Sequence, residues 1–293
     1  YTPPGNFPGY DDAQYSAKDG QGDQATATVI VLSQTGGVVW KFYEQVLHRD
    51  PDYLPEAQGG GGLGYWINEL LLHRDPSGNI QPGLIVAGFA ESTELLTPII
   101  QGWYEQYLGR AADAGGLQYY INEWRHDGGP EESQRDFFVS PEFHALAQND
   151  YGSHDDFPDE YWVWGLYERI LNRAPDAKGL QDWQQQLENG IPETQVALDF
   201  FTSPEAFDND VTGWYYEYLG RAPSLTEQAQ YVNQMTAGAS DQTIEQEITS
   251  LPEYVDGPPA PQPGTAERFR LPPYSPQTAA VAAKDALFDE LGQ

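Results

Sequence analysis

Residues 172–183 read NRAPDAKGLQDW, and residues 109–120 read GRAADAGGLQYY. A chain without a single cysteine writes one short phrase twice, almost letter for letter. The phrase divides at its Arg. Upstream of it stand four related runs: FYEQVLHR (42–49), WYEQYLGR (103–110), LYERILNR (166–173) and WYYEYLGR (214–221). In these runs Tyr43, Tyr104, Tyr167 and Tyr215 share one column, and Leu47, Leu108, Leu171 and Leu219 share another four residues on. That spacing puts both columns on one helical face, the face to be buried. The residue before each Arg is His48, Gly109, Asn172 or Gly220. Gly and Asn adopt the left-handed conformation that closes a helix, and His is among the less reluctant others. The helix is expected to stop there. Arg49, Arg110, Arg173 and Arg221 then read as turn staples, reaching back to free carbonyls or across to an acidic neighbour.

Downstream, a second helix opens. Asp113 and Asp176 are placed as N-caps, with Ser224 in the same column, and Ser224 to Glu227 spells a capping box. Leu117, Tyr120 and Trp124 match Leu180, Trp183 and Leu187, and Leu63, Trp66 and Leu70 repeat the pattern. The spacing is that of an amphipathic helix with an aromatic stripe turned inward. The expected core therefore includes Tyr43, Trp66, Tyr104, Tyr120, Tyr167, Trp183, Tyr215 and Tyr231. A third helix follows in PEESQRDFFVS (130–140) and PETQVALDFFTS (192–203). Both run into Ser-Pro-Glu, with STEL (92–95) and SLPEY (250–254) as looser forms, and Ser followed by Pro marks another helix start.

The fold expected is all-α: about four tandem copies of a three- to four-helix unit, stacked so that each buries a face its neighbour covers. The copies span 38–98, 99–160, 161–209 and 210–254. The first is interrupted by a Gly-rich insertion, YLPEAQGGGG (53–62). An extended arm (1–37) precedes them. A Pro-rich tail containing GPPAPQPG and a short helix (255–293) follows.

The pattern Tyr-x3-Leu-Gly-Arg-x-Pro-Asp-x2-Gly-Leu-x2-Trp, with Ser-x-Glu-Phe beyond it, resembles a bacterial helical module known only as a domain of unknown function. That module occurs in S-layer proteins and RTX-type secreted proteins, and a similar phrase marks the phycobilisome linker domain. The third copy matches best, at Leu171, Arg173, Pro175, Asp176, Gly179, Leu180, Trp183, Ser203, Glu205 and Phe207. The second has Ala112 for Pro, and the fourth has Ser224, Glu227 and Gln228 for Asp, Gly and Leu. The resemblance implies a non-catalytic spacer or docking unit in an extracellular or assembled structure.

Composition points the same way. With 45 acidic residues against 14 Lys and Arg, the net charge is −31. Nucleic acid and anionic membrane surfaces need a basic footprint and are not expected partners. No apolar run reaches membrane-spanning length, so insertion into a bilayer is not expected. Without cysteine there is no thiolate catalysis, disulfide or zinc–sulfur site. The five histidines lack metal-ligand spacing, GGGGLG (59–64) lacks the Lys of a phosphate loop, and no Gly-x-Ser-x-Gly elbow occurs. No catalytic residue and no organic cofactor is expected. Calcium is the one candidate ion, through loop carboxylates Asp50, Asp52 and Glu56 in one run and Asp155, Asp156 and Asp159 in another, neither with EF-hand spacing.

The function expected is a structural or assembly protein, extracellular or at the cell surface, in the manner of an S-layer, filament or sheath. Its partners are copies of itself or a larger assembly, with contacts made by the tails. A chain opening on Tyr1 fits removal of a leader and trimming alike. The alternatives are a polysaccharide- or cell-wall-binding module and a virion or phage structural component.

Overall fold

Helices dominate because the amphipathic runs are short, well capped and separated by Gly, Pro or Ser. The computed structural model describes residues 9–18, 24–52, 61–126, 130–152 and 160–257. Within these the fold is all-α apart from one antiparallel hairpin, β1 (Tyr10–Lys18) and β2 (Gln24–Leu32). Tyr10 lies opposite Leu32 and Lys18 opposite Gln24. The hairpin falls in the stretch expected to be an extended arm. Its second strand, QATATVIVL, is rich in β-branched residues, which favour a pleated surface once a partner strand is present.

Helix α1 (Gln34–Phe42) also begins inside that arm, capped by the Ser33 side chain, which accepts from the Gly36 amide. It runs on into a π-turn, Tyr43–Leu47. Then follow α2 (Gly61–Leu72), α3 (Gly83–Phe89), α4 (Thr93–Leu108), α5 (Ala114–His126), α6 (Pro130–Phe138) and α7 (Pro141–Tyr151). Next come α8 (Glu160–Ile170), α9 (Ala177–Glu188), α10 (Glu193–Phe201) and α11 (Pro204–Trp214). Helix α11 passes into a second π-turn, Tyr215–Leu219, and α12 (Leu225–Thr236), α13 (Asp241–Thr249) and α14 (Pro252–Asp256) complete the order.

Two helices run through points at which the sequence suggests one helix ending and another beginning. Helix α4 is capped by Ser92 and ends in the WYEQYL run, all in 16 residues. Helix α11 starts at Pro204 and continues without a break into YYEYL. Between α7 and α8 the chain turns at Gly152, whose φ is +72°. The spacing from Arg173 to Arg221 is 48 residues, against 63 for the preceding one, and α11 passes into its Tyr-bearing turn with no loop between.

The described residues form two compact units. One takes the chain up to Ala90, Trp214–Ala222 and the residues from Ser240; the other takes Glu91–Gly213 and Pro223–Ala239. In the first unit, α3 packs on α2 and on α13, and α1 packs on α2 and α14. Gly83 and Gly88 permit this: a Cβ on Gly83 would lie 2.9 Å from Gln246, and one on Gly88 would lie 2.0 Å from the Trp66 ring. In the second unit a continuous aromatic core runs from Leu96 to Ala206 and includes the fully buried Phe138, Trp162 and Trp164. The Trp162 indole donates to the Phe138 carbonyl at 2.7 Å. A buried ion pair, Arg169 to Asp150 at 3.2 Å, is tied to α4 by the Arg169 donation to the Gln106 carbonyl at 2.8 Å.

Candidate functional site

The four phrase-bearing turns share one geometry. His48 (φ +52°), Gly109 (+67°), Asn172 (+54°) and Gly220 (+67°) all adopt the left-handed conformation. Reversing the chain there lays the next residue, Arg, back over the Tyr of the helix just ended. The guanidinium carbon stands 4.9 Å from the Tyr43 ring centre, 4.7 Å from Tyr104, 4.8 Å from Tyr167 and 5.0 Å from Tyr215. This is cation–π distance. Each Arg also donates to the carbonyl of the residue after it: Asp50, Ala111, Ala174 and Ala222.

The remaining donors of three of these Arg residues point at a carboxylate on the Ser-Pro-Glu or Leu-Pro-Glu turn. Arg110 grips Glu142 at 2.5 and 2.8 Å, Arg173 grips Glu205 at 2.6 and 2.8 Å, and Arg221 grips Glu253 at 2.9 and 2.7 Å. Each pair is 32 residues apart and two-pronged, the arrangement that matches a planar guanidinium to a carboxylate. Arg49 pairs with Asp52 at 3.4 Å. Hydrogen bonds from Arg110 hold the Glu142 carboxyl below its ordinary value and raise the Arg110 guanidinium further. The sequence marks these Glu residues as part of the Ser-Pro-Glu and SLPEY turns and expects an acidic neighbour for each Arg, but it does not pair the two, although their constant offset from the Arg is visible in it.

Beneath the Arg, the ring is set by the second and third helices. Tyr104 meets the edge of Phe137 at 4.9 Å, Tyr167 that of Phe200 at 4.9 Å, and Tyr43 that of Phe89 at 5.6 Å. The second helix presses Tyr120, Trp183 and Trp66 against the same three Phe rings. A Cβ on Gly62, Gly116 or Gly179 would lie 2.6, 2.0 and 2.4 Å from the hydroxyls of Tyr43, Tyr104 and Tyr167. The Gly before the Leu of the phrase is therefore there to admit a tyrosine oxygen. Tyr43, Tyr104, Tyr167, Tyr215 and Tyr231 are buried; Trp66, Tyr120 and Trp183 are half-buried.

The caps are formed by side chains of the expected kind. Asp113 accepts from the Gly115 and Gly116 amides and Asp176 from Gly179, which lowers the Asp113 carboxyl. Ser224 and Glu227 close a full capping box. Ser92, Ser140 and Ser203 cap the helices that follow them, whereas Leu251, not Ser250, stands at the start of α14.

Of the calcium candidates, Asp50 and Asp52 are described, and Asp52 is engaged with Arg49. Glu56, Asp155, Asp156 and Asp159 lie outside the described residues, as does His154. Among the described residues no three His, Asp or Glu side chains gather as metal ligands. His144 stacks on Trp162 and contacts Glu193 at 3.1 Å. One carboxyl is strongly perturbed: Glu245 on α13 accepts from the Tyr218 hydroxyl at 3.0 Å, and burial, with the charges of Glu217 and Asp241, pushes it up to about 8. No single described helix is long and apolar enough to cross a membrane.

Fold and geometry together define a class: an all-α protein whose most regular polar constellation is a set of helix junctions. Residues 134–210, which contain the whole Tyr167–Arg173–Glu205 junction, match a family described as a domain of unknown function (DUF4214). The match covers well under half of the chain. No curated protein and no solved structure matches.

Proposed function

We propose that the chain is a non-catalytic structural protein, built from tandem helical modules, that assembles with copies of itself or with a larger extracellular or surface-attached structure. One observation carries this reading: the four stapling Arg residues spend their donors on ring faces, turn carbonyls and, in three junctions, a forked carboxylate. A group so engaged holds helices in register and is not available to a substrate. The resemblance of the phrase to modules of S-layer and RTX-type proteins, and the net charge of −31, which suits a saline or cation-rich setting, support the same reading.

The tails are the proposed source of subunit contacts. Light scattering on the full chain, with and without Ca²⁺, and on a chain lacking residues 1–8 and 258–293, tests this. Large assemblies that disappear on deletion support the reading; a monomer under every condition overturns it. The second reading is a polysaccharide- or cell-wall-binding module, favoured by the exposed rings of Tyr65 and Tyr119. Retention of the monomer on insoluble glycan, lost on replacing those rings by Ala, would support that alternative.

A further inference from the structure

Each compact unit is held by the same kind of contact, one pair of helices against another. In the second unit α6 packs on α10, with the Phe138 and Phe201 ring centres 5.5 Å apart. Beside that crossing, α4 and α8 share two bonds that read alike in both directions. The Gln106 side chain donates to the Arg169 carbonyl at 3.1 Å, and the Arg169 guanidinium donates to the Gln106 carbonyl at 2.8 Å. Residue i meeting j while j meets i is the mark of a local two-fold contact, a surface that recognises its own kind. The two halves around it correspond: α4 packs on α5 and α6, and α8 on α9 and α10.

The first unit is closed in the same way, by helices far apart in sequence. Helix α3 packs on α13, and the π-turn Tyr43–Leu47 packs on the π-turn Tyr215–Leu219. Gly83 lies at the crossing, where a Cβ would stand 2.9 Å from the Gln246 side chain. Polar ties between α1 and the end of α14 fix the register. Gln34 donates to Asp256, and the buried Lys41 ammonium donates to the carbonyls of Tyr254 at 2.5 Å and Gly257 at 2.7 Å. A buried ammonium is costly unless its donors are met, so only a seat that supplies these carbonyls is accepted.

The two contacts differ in how the chain joins their halves. In the second unit α7 ends at Tyr151 and α8 starts at Glu160. In the first unit all of residues 91–213 separate the two halves. A short connection gives the local partner a large advantage, whereas a long one lowers its effective concentration toward that of a neighbouring molecule.

We propose that the α3–α13 contact is also the chain's contact with a second copy, formed by exchange: α13 and α14 of each chain seat on α3 and α1 of the other. The inference rests on the assembly reading and gives it a contact besides the tails. Exchange is a low-cost route to a dimer, because each bond made within one chain is made again between two. The tails then join such pairs into larger structures.

The absence of cysteine lets the exchange be trapped. Full chains carrying Gly83→Cys are mixed at high concentration with full chains carrying Gln246→Cys, oxidised mildly and run on non-reducing gels. Within one chain neither cysteine has a partner. On exchange the two face each other, inside the Cα separation of about 7 Å that a disulfide needs. The expected result is a covalent heterodimer, at least about tenfold more abundant than from Gly83→Cys mixed with Lys178→Cys, whose position on α9 is exposed and outside the contact. No excess over that control overturns the proposal. Gln34→Cys mixed with Asp256→Cys, joined by a short bis-maleimide, repeats the measurement across the α1–α14 tie if Gly83→Cys loses helicity. Light scattering on the native chain keeps the two readings apart: large assemblies without excess heterodimer overturn the exchange and leave the assembly reading in place.

Discussion

The junction after α8 and the junction after α11 reach one geometry from different letters. At the first, Asn172 turns the chain, Arg173 covers Tyr167 and grips Glu205, Asp176 caps α9, and Gly179 clears the Tyr167 hydroxyl. At the second, Gly220 turns the chain and Arg221 covers Tyr215 and grips Glu253, but a Ser224–Glu227 capping box opens α12. Three of the phrase's letters are gone, and the stapling survives. The left-handed turn and the Arg over Tyr are thus common to all four junctions, and the forked carboxylate to three of them. The Asp-x2-Gly-Leu part of the phrase is one of two ways to start the next helix.

The largest expected effect comes from removing the ring that both junctions share. Tyr167→Ala and Tyr215→Ala should each destabilise by about 3–5 kcal/mol, the range for deleting a buried aromatic, in urea unfolding followed by circular dichroism. A Tyr215→Ala cost far below that of Tyr167→Ala would break the equivalence of the two sites. Next comes the letter in which they differ. Gly179→Ala drives a methyl to within 2.4 Å of the Tyr167 hydroxyl and should cost about 1–3 kcal/mol. At the corresponding position Glu227→Ala loses only part of a cap and should cost about 0.5–1 kcal/mol.

A third effect belongs to α13. Glu245, raised to about 8 in the fold against an ordinary 4.5, holds its proton at neutral pH when folded but not when unfolded. Its contribution is therefore full below about 4.5 and is lost as pH rises through 8. The melting temperature of the native chain should fall between pH 6 and pH 9 more steeply than that of Glu245→Gln. Parallel curves would sink the assignment.

Much of this was legible in the letters. The Tyr column, the left-handed residues before each Arg and the Ser224 capping box follow from local rules that act within a few residues. The Leu column was not: Leu47, Leu108 and Leu219 are only half-buried, and the residues before them, Val46, Tyr107 and Tyr218, fill the core. What was not legible depends on contacts between distant segments. Glu142, Glu205 and Glu253 lie 32 residues from their Arg partners, and only the constancy of that offset betrays them. Phe89, Phe137 and Phe200 look like ordinary third-helix apolar residues until the Tyr edge is seen against them. The hairpin Tyr10–Lys18 with Gln24–Leu32 sits in a run whose first half is polar and Gly-rich, so neither strand announces the other. The fusion of helices in α4 and α11 could not be read because a Ser cap marks a start whether or not the helix later continues into the next copy.

The central claim is that the Arg–Glu fork is a structural staple used alike in different junctions. A double-mutant cycle tests it most directly: Arg173→Ala, Glu205→Ala and the double variant, alongside Arg221→Ala, Glu253→Ala and theirs, by urea unfolding. Both pairs are more than a third exposed, so screening limits the coupling, and about 0.5–1 kcal/mol is predicted in each cycle. Coupling indistinguishable from zero in both cycles would contradict the account.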